Sequence, residues 1–327
     1  MPEWRNVEIS QLVEITDGWE TEVFSFDIKN SSGHVEEKVV LRMYSGPHAV
    51  NKARKEFSLL KHLYEASYPV PRVLLVEEES SHLGRPFLIM ERVEGNSMWS
   101  LLEAERHNQD SHLYRLFSTL FHGLHTLDWR QLIENPEGIQ GLNSKRAAMS
   151  WIEKFESRAL EIGERELLEI IEWLKMKSNE IAFEQLSATH NDFHPANILM
   201  DRDGNPFVID WTAADLMDYR VDLAWTLLLV KVYVGDAMRD TILRGYESVS
   251  QKTVEDIPFF EVLGCLRRLT DILVTLTTDS GAIGLREGAA ESIREQLKQN
   301  MTLLDIVKDH TGLDLPYLRK LMVGQKT

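Results

Sequence analysis

Thr189-His190-Asn191-Asp192-Phe193-His194-Pro195-Ala196-Asn197-Ile198-Leu199-Met200, then Asp201 to Pro206, then Phe207-Val208-Ile209-Asp210-Trp211: two short apolar runs here flank a stretch rich in turn formers. The pattern predicts a β-hairpin. A hairpin brings its outer ends together, so Asn197, just before the first strand, is expected beside Asp210, just after the second. One amide oxygen and one carboxylate then converge. So small a set of hard oxygens needs phosphate and water to complete a shell, which suits Mg2+ and not Zn2+. Asp192 lies in the preceding loop and reaches the same cleft. A carboxylate there accepts or orients a hydroxyl proton while metal ions neutralise phosphates. His190 and His194 have the spacing of a helical metal pair, but Pro195 makes this a loop and the Glu of a zinc-protease motif is absent.

Upstream, Glu14 to Met43 is strand-like: Phe24, Phe26 and Ile28 alternate with polar residues, Asn30-Ser31-Ser32-Gly33 supplies a turn, and Lys38 to Met43 resumes an extended run. Ala53, Phe57, Leu60 and Tyr64 recur at helical spacing before Tyr68-Pro69, and Val73 to Glu77 and Pro86 to Val93 return to strand. After Gly95-Asn96-Ser97 helical periodicity dominates, starting with Leu113, Leu116, Phe117, Leu120 and Leu124 and continuing over 150–161, 164–183, 221–233, 258–275 and 291–307. The expectation is an α+β molecule in two parts: 1–94, a small antiparallel sheet with one helix, and 95–327, larger and mainly helical. Gly281 to Gly288 reads as a loop between helices.

The 327 residues are 43% hydrophobic and 27% charged, an ordinary globular balance. A net charge of −16 speaks against a nucleic-acid partner, which needs clustered Lys and Arg, and tolerates a cationic ligand. Cys265 is the single cysteine, so an intramolecular disulfide or cysteine-rich zinc site is excluded and a reducing compartment fits. The first residues lack the apolar core of a signal peptide, and the longest apolar stretch, Trp225 to Val234, is interrupted by Lys231 and reads as a buried helix. A cytoplasmic protein without a membrane partner, monomeric or homodimeric, is expected.

The runs 189–199 and 208–211 resemble the catalytic and metal motifs of the aminoglycoside phosphotransferase and choline kinase-like family. Leu124-His125-Thr126-Leu127-Asp128 and Asp218-Tyr219-Arg220-Val221-Asp222-Leu223-Ala224 resemble its flanking signatures, so the likeness runs from about Glu14 to about Leu229. The resemblance implies a two-lobed protein-kinase-like fold and transfer of the γ-phosphate of ATP, or GTP, to a hydroxyl of a small metabolite or antibiotic, with Mg2+. It implies Asp192 as catalytic base or hydroxyl-orienting group, Asn197 and Asp210 as magnesium ligands, and His190 and Asp222 as supports of the catalytic loop. In the first lobe it implies Arg42 as the phosphate-pairing cation, Glu56 as its ion-pair partner, Gly18 in the phosphate-covering loop, and backbone groups of Glu91 and Val93 as the adenine seat.

Two departures stand out: the cation is Arg, a planar fork, rather than Lys, and the loop has one glycine, not the Gly-x-Gly-x-x-Gly of protein kinases. They motivate the alternative of a nucleotide-binding pseudokinase or scaffold without turnover. A protein kinase fits less well, because no Asp-Phe-Gly stands at Asp210 and little chain separates it from Asp222. Asp215 and Asp218 either meet a cationic acceptor or are solvated and capping residues; His194 is either structural or a substrate contact; His125 reads as structural. The acceptor itself is not written in 131–187 or 255–310.

Overall fold

Strand alternation builds the first layer. β1 (Glu8–Ile15), β2 (Thr21–Lys29) and β3 (Val35–Tyr44) run antiparallel, α1 (Ala49–Glu65) follows, and β4 (Val73–Glu77) and β5 (Phe87–Glu91) complete a sheet of order β1-β2-β3-β5-β4. The computed structural model describes residues 7–15, 21–46, 48–79, 82–105, 108–109, 111–133, 136–139, 141–278 and 289–323. Successive strand side chains point to opposite faces. Phe26, Ile28, Val39, Leu41, Met43, Phe87 and Ile89 therefore share one face. Val40, Tyr44, Leu88 and Met90 gather on the other with Ala53, Leu60 and Leu63 of α1. Arg42 has the parity of Val40 and Tyr44, which turns it toward α1. The buried stripe of α1 is Ala49, Ala53, Glu56, Leu60 and Leu63, so a carboxylate sits in the middle of an apolar face.

The rest is mainly helical. β6 (Gly95–Ser97) leads into α2 (Met98–Ala104), α3 (His112–Thr126), α4 (Ser144–Ile162) and α5 (Arg165–Lys177). Short side chains cap three of these helices: the Ser97, Ser111 and Asn143 oxygens accept from Ser100, Leu113 and Arg146 N–H. Next come β7 (Leu186–Thr189), β8 (Ile198–Asp201), β9 (Pro206–Val208) and β10 (Asp215–Asp218). The chain closes with α6 (Tyr219–Tyr233), α7 (Asp236–Ser250), α8 (Ile257–Thr277), α9 (Ala289–Gln296), α10 (Met301–Thr311) and α11 (Pro316–Met322). The β8–β9 hairpin takes β6 as its third strand, and β10 pairs with β7. Among the described residues no helix is long and apolar enough to cross a membrane.

The α+β class and the sheet-then-helix order are as expected; several elements are not. β1 escaped because Ile9, Leu12 and Val13 are all exposed and the pairing shifts between Ser10 and Val13, which breaks the two-residue period. α7 buries only Met238, Ile242 and Tyr246, too sparse a stripe to stand out. The helix expected over 164–183 ends at Lys177, and the one expected over 291–307 divides between α9 and α10, where Asn300 is buried and its amide donates to Gln296 O. The expected loop Gly281 to Gly288 lies outside the described residues.

Gly95 shows why β6 can pair with β8: a Cβ there would sit 1.8 Å from the Met200 carbonyl oxygen. Gly95→Ala is expected to lower stability by about 3 kcal/mol, since backbone and not a movable side chain blocks it. Gly123→Ala in α3, where a Cβ meets nothing within 4 Å, is expected to stabilise by about 0.5–1 kcal/mol through helix propensity. Thermal unfolding of the two variants checks the contrast.

Candidate active site

The loop between β7 and β8 that carries Asp192 is held from below by one carboxylate. Asp222, wholly buried in the first turn of α6, accepts the His190 N–H on Oδ2 at 2.6 Å and the Asn191 N–H on Oδ1 at 2.8 Å. His125 Nε2 lies 3.3 Å from the same Oδ2, and its Nδ1 meets the Tyr246 hydroxyl at 2.8 Å, so His125 braces this support from α3. Asn191 adopts φ +60°, a left-handed conformation that Asn tolerates better than most residues. Its amide nitrogen donates to Thr189 Oγ1 and Ala213 O, which fixes the turn. Burial lowers the His190 pKa and keeps the ring neutral; its Nε2 then donates to Ile209 O at 3.0 Å.

The hairpin does what its sequence asks. Asp201 Oδ1 accepts the N–H groups of Asp203 and Asn205, Gly204 takes φ +83°, and the strands pair Ile198 with Val208. Ile209 N–H then donates to Asn197 O at 2.9 Å, which sets Asn197 and Asp210 side by side. Asn197 Nδ2 donates to the Asp192 backbone carbonyl at 2.9 Å. That orientation leaves the amide oxygen Oδ1 as the group available to a cation. Asp210 also has a positive φ, +66°, the second strained residue of the site, and its side chain is 41% exposed. Its contacts run through Oδ1, to Arg42 at 2.8 Å and Thr212 Oγ1 at 3.3 Å; among the described residues no hydrogen bond engages Oδ2. A hard cation completed by phosphate and water fits this pair of oxygens.

Asp192 Oδ1 accepts the Trp225 indole N–H at 3.0 Å, while Oδ2 has only longer neighbours, Asn197 Nδ2 at 3.4 Å and His194 Nε2 at 3.6 Å. Burial works against its charge, yet His194, the Trp225 N–H and Arg267 outweigh it and hold the carboxyl well below the usual carboxylate range. Asp192 is therefore an ionised acceptor. On the sheet side, Arg42 bridges two carboxylates: Nη1 lies 3.3 Å from Glu56 Oε1 and Nη2 lies 2.8 Å from Asp210 Oδ1. Burial alone would push the Glu56 pKa up, and it is raised, though Arg42 and the Tyr44 hydroxyl, 2.6 Å from Oε2, oppose the shift. Burial also raises the Asp210 pKa, but Arg42 more than compensates and the net direction is down.

The other candidates divide. Glu91 N–H is committed to Arg72 O at 2.9 Å, so an adenine contact from this residue would fall to its carbonyl, with Val93 beyond the end of β5. Gly18 lies outside the described residues. Asp218 is buried: it caps α6 through Arg220 N–H, grips the Arg220 side chain with both oxygens and accepts Glu184 N–H, which settles its open alternative as structural. Asp215 Oδ2 takes the Trp151 indole N–H at 3.4 Å and remains half-buried. Trp225 and Arg267 were not anticipated. Both fall on regular apolar helix faces, and only the fold shows that they meet the loop.

The model of the phosphotransferase enzyme family matches residues 11–258 of the chain. Among curated proteins, mouse acyl-CoA dehydrogenase family member 10 is 27% identical over 206 residues, covering 61% of this chain and 18% of that one. Acyl-CoA dehydrogenase family member 11 of Gallus gallus is 25% identical over 238 residues, covering 69% and 29%. The chain thus spans under a third of either relative. Among solved structures, Plasmodium vivax ethanolamine kinase superposes with a TM-score of 0.61 at 11% identity, over 95% of this chain and 83% of that one. A thermostable mutant of aminoglycoside phosphotransferase APH(4)-Ia, in ternary complex with ADP and hygromycin B, superposes at 0.60 and 18% identity, over 88% and 94%. These likenesses give the fold.

Asp222→Ala is expected to lower stability by roughly 3–5 kcal/mol, because it strands two buried N–H groups together. Urea unfolding reads the loss; a change below about 1 kcal/mol would mean that other contacts hold the loop.

Proposed function

The chain belongs to the phosphotransferase enzyme family, and we propose that it is a small-molecule kinase that moves the γ-phosphate of ATP or GTP onto an acceptor hydroxyl. The observation that carries this reading is the arrangement at the hairpin: Asn197 is bonded to the Asp192 carbonyl at 2.9 Å and to Ile209 N–H at 2.9 Å, which brings Asp192, Asn197 and Asp210 together. Arg42 faces them from the sheet. Asp192 receives or orients the acceptor proton through Oδ2 as the hydroxyl oxygen attacks the γ-phosphorus and the nucleoside diphosphate leaves. Asn197 and Asp210 would hold Mg2+, which would neutralise charge on the phosphate oxygens. Arg42 pairs with phosphate, and Glu56 aims it. We assign 1–94 as the nucleotide-binding lobe and 95–327 as the helical lobe with catalytic loop and acceptor site, a division supported by the pairing of β6 with β8. The acidic chain, at −16, favours a cationic acceptor.

A nucleotide sensor without turnover is the second reading, favoured by one contact. Arg42 holds Asp210 through Oδ1, so while the pair stays closed only Oδ2 is left to a metal and the guanidinium is kept from phosphate. Asp210 is 41% exposed and can turn to a cation, while Arg42, 10% exposed, keeps Glu56 as a partner when the pair opens.

Nucleoside diphosphate release from MgATP and MgGTP, measured with ethanolamine, hygromycin B, sugars and hydroxylated amino acids, separates the readings. Acceptor-stimulated release that falls roughly a hundredfold or more in Asp192→Ala, with nucleotide binding within about twofold, is expected of the kinase. Nucleotide binding with no release for any acceptor is the signature of the sensor. Asp210→Asn is expected to raise the Mg2+ concentration needed for half-maximal nucleotide binding by about tenfold; an unchanged requirement would remove Asp210 from the metal site.

A further inference from the structure

Helix α6 grips the catalytic loop at three successive points along one face. Asp222 takes the N–H groups of His190 and Asn191, Trp225 donates its indole N–H to Asp192 Oδ1 at 3.0 Å, and Thr226 Oγ1 donates to Phe193 O at 2.6 Å. The first and third are backbone supports. The second ends on the side chain proposed to meet the acceptor.

Trp225 is itself clamped. The Arg267 guanidinium, from α8, stacks 3.8 Å from the centre of its ring and lies 5.6 Å from that of Trp151. Arg267 Nη1 also donates to Asn191 O at 2.7 Å. The left-handed residue just before Asp192, Asn191, is thereby pinned on both sides, its N–H by Asp222 and its carbonyl by Arg267. Trp225 is 5% exposed, so its ring has little room to turn. An indole suits this position chemically. It donates one hydrogen bond and accepts none, so it can fix a carboxylate without taking the proton that the carboxylate must receive. A rigid ring holds Asp192 at one rotation, with Oδ1 engaged at 3.0 Å and Oδ2 in longer contacts only, Asn197 Nδ2 at 3.4 Å and His194 Nε2 at 3.6 Å.

We infer that Trp225 and Arg267 are positioning residues for Asp192: the indole N–H fixes the carboxylate so that Oδ2 faces the acceptor hydroxyl, and Arg267 holds both the indole plane and the Asn191 carbonyl. The inference rests on the kinase reading for its consequence in catalysis, and on the hydrogen bond alone for its geometry.

Trp225→Phe keeps the ring and removes the N–H; Arg267→Met keeps the length and apolar packing and removes the donor. Nucleoside diphosphate release from MgATP is measured with the most effective acceptor of the panel, or with water if none stimulates. Trp225→Phe is expected to lower kcat roughly tenfold and leave the nucleotide KM within about twofold. In the Asp192→Ala background the same change is expected to cost nothing further, because the residue it acts through is gone. A tenfold loss in both backgrounds would mean general packing and would overturn the inference. Arg267→Met is expected to lower kcat several-fold in the same Asp192-dependent way, and it decides the matter should Trp225→Phe fail to fold. A readout free of turnover accompanies these. In a spectrum of 15N-indole-labelled protein, with eight tryptophans, the Trp225 N–H resonance is expected to move more than the others on Asp192→Ala; an unmoved resonance refutes the hydrogen bond. If MgATP is not consumed under any condition, the kinase reading has failed, and this resonance alone decides whether Trp225 holds Asp192.

Discussion

Everything at the cleft depends on a carboxylate that touches no solvent. Asp222 accepts two consecutive backbone N–H groups from a segment that no β ladder or helix could hold, because Asn191 turns left-handed between β7 and the loop. A buried charge is tolerable only when fully bonded, and here the two N–H groups and His125 supply the bonds. The arrangement runs both ways: the loop satisfies the charge and the charge shapes the loop. α6 can offer Asp222 because its own start is fixed by Asp218, whose pairing with Arg220 reaches on to the carbonyls of Ala182 and Glu255.

The sheet joins this frame at a few polar points. Lys55 of α1 donates to Ala214 O at 2.6 Å, Val208 N–H donates to Pro69 O at 2.8 Å, and Arg42 meets Asp210. The first two are neutral-acceptor contacts with fixed backbone. The third is different in kind, since both of its members have other work in the proposed reaction. Arg42 keeps Glu56 as a second partner when Asp210 turns away, so the guanidinium never faces the low-dielectric interior unpaired. Tyr44, bonded to the far oxygen of Glu56, keeps that carboxylate from swinging after the Arg.

Much of this was legible because it is local. The alternation of Phe24, Phe26 and Ile28, the spacing of Ala53, Phe57, Leu60 and Tyr64, and the Asp201 to Pro206 turn each declare one element, and hairpin closure alone puts Asn197 near Asp210. What escaped is what only tertiary packing creates. Trp225 stands 33 positions from Asp192 and Arg267 stands 76 from Asn191, each inside a helix whose periodicity explains the residue fully as core or flank. Asp218 looked as available as Asp215 because a one-dimensional pattern cannot tell a capped, buried carboxylate from a solvated one. The bulged edge strand β1 failed for the opposite reason: it buries almost nothing, so no burial period marks it.

The apolar core beneath the loop is not divided where the architecture changes. Phe193 of the loop between β7 and β8 stacks on Phe121 of α3 with ring centres 4.2 Å apart, and the same cluster runs on through Trp211 and Tyr68 to Leu60 and Leu63 of α1 and Leu88 of β5. One face of the sheet and α1 therefore pack in the same cluster as the loop and α3, so loss of one side strips contacts from the other. Whatever binds the folded site and not the unfolded chain makes its affinity reappear as heat resistance: a ligand at a hundred times its dissociation constant adds about 2.7 kcal/mol to the folded state. Occupancy of the cleft can then be followed at positions that never touch it.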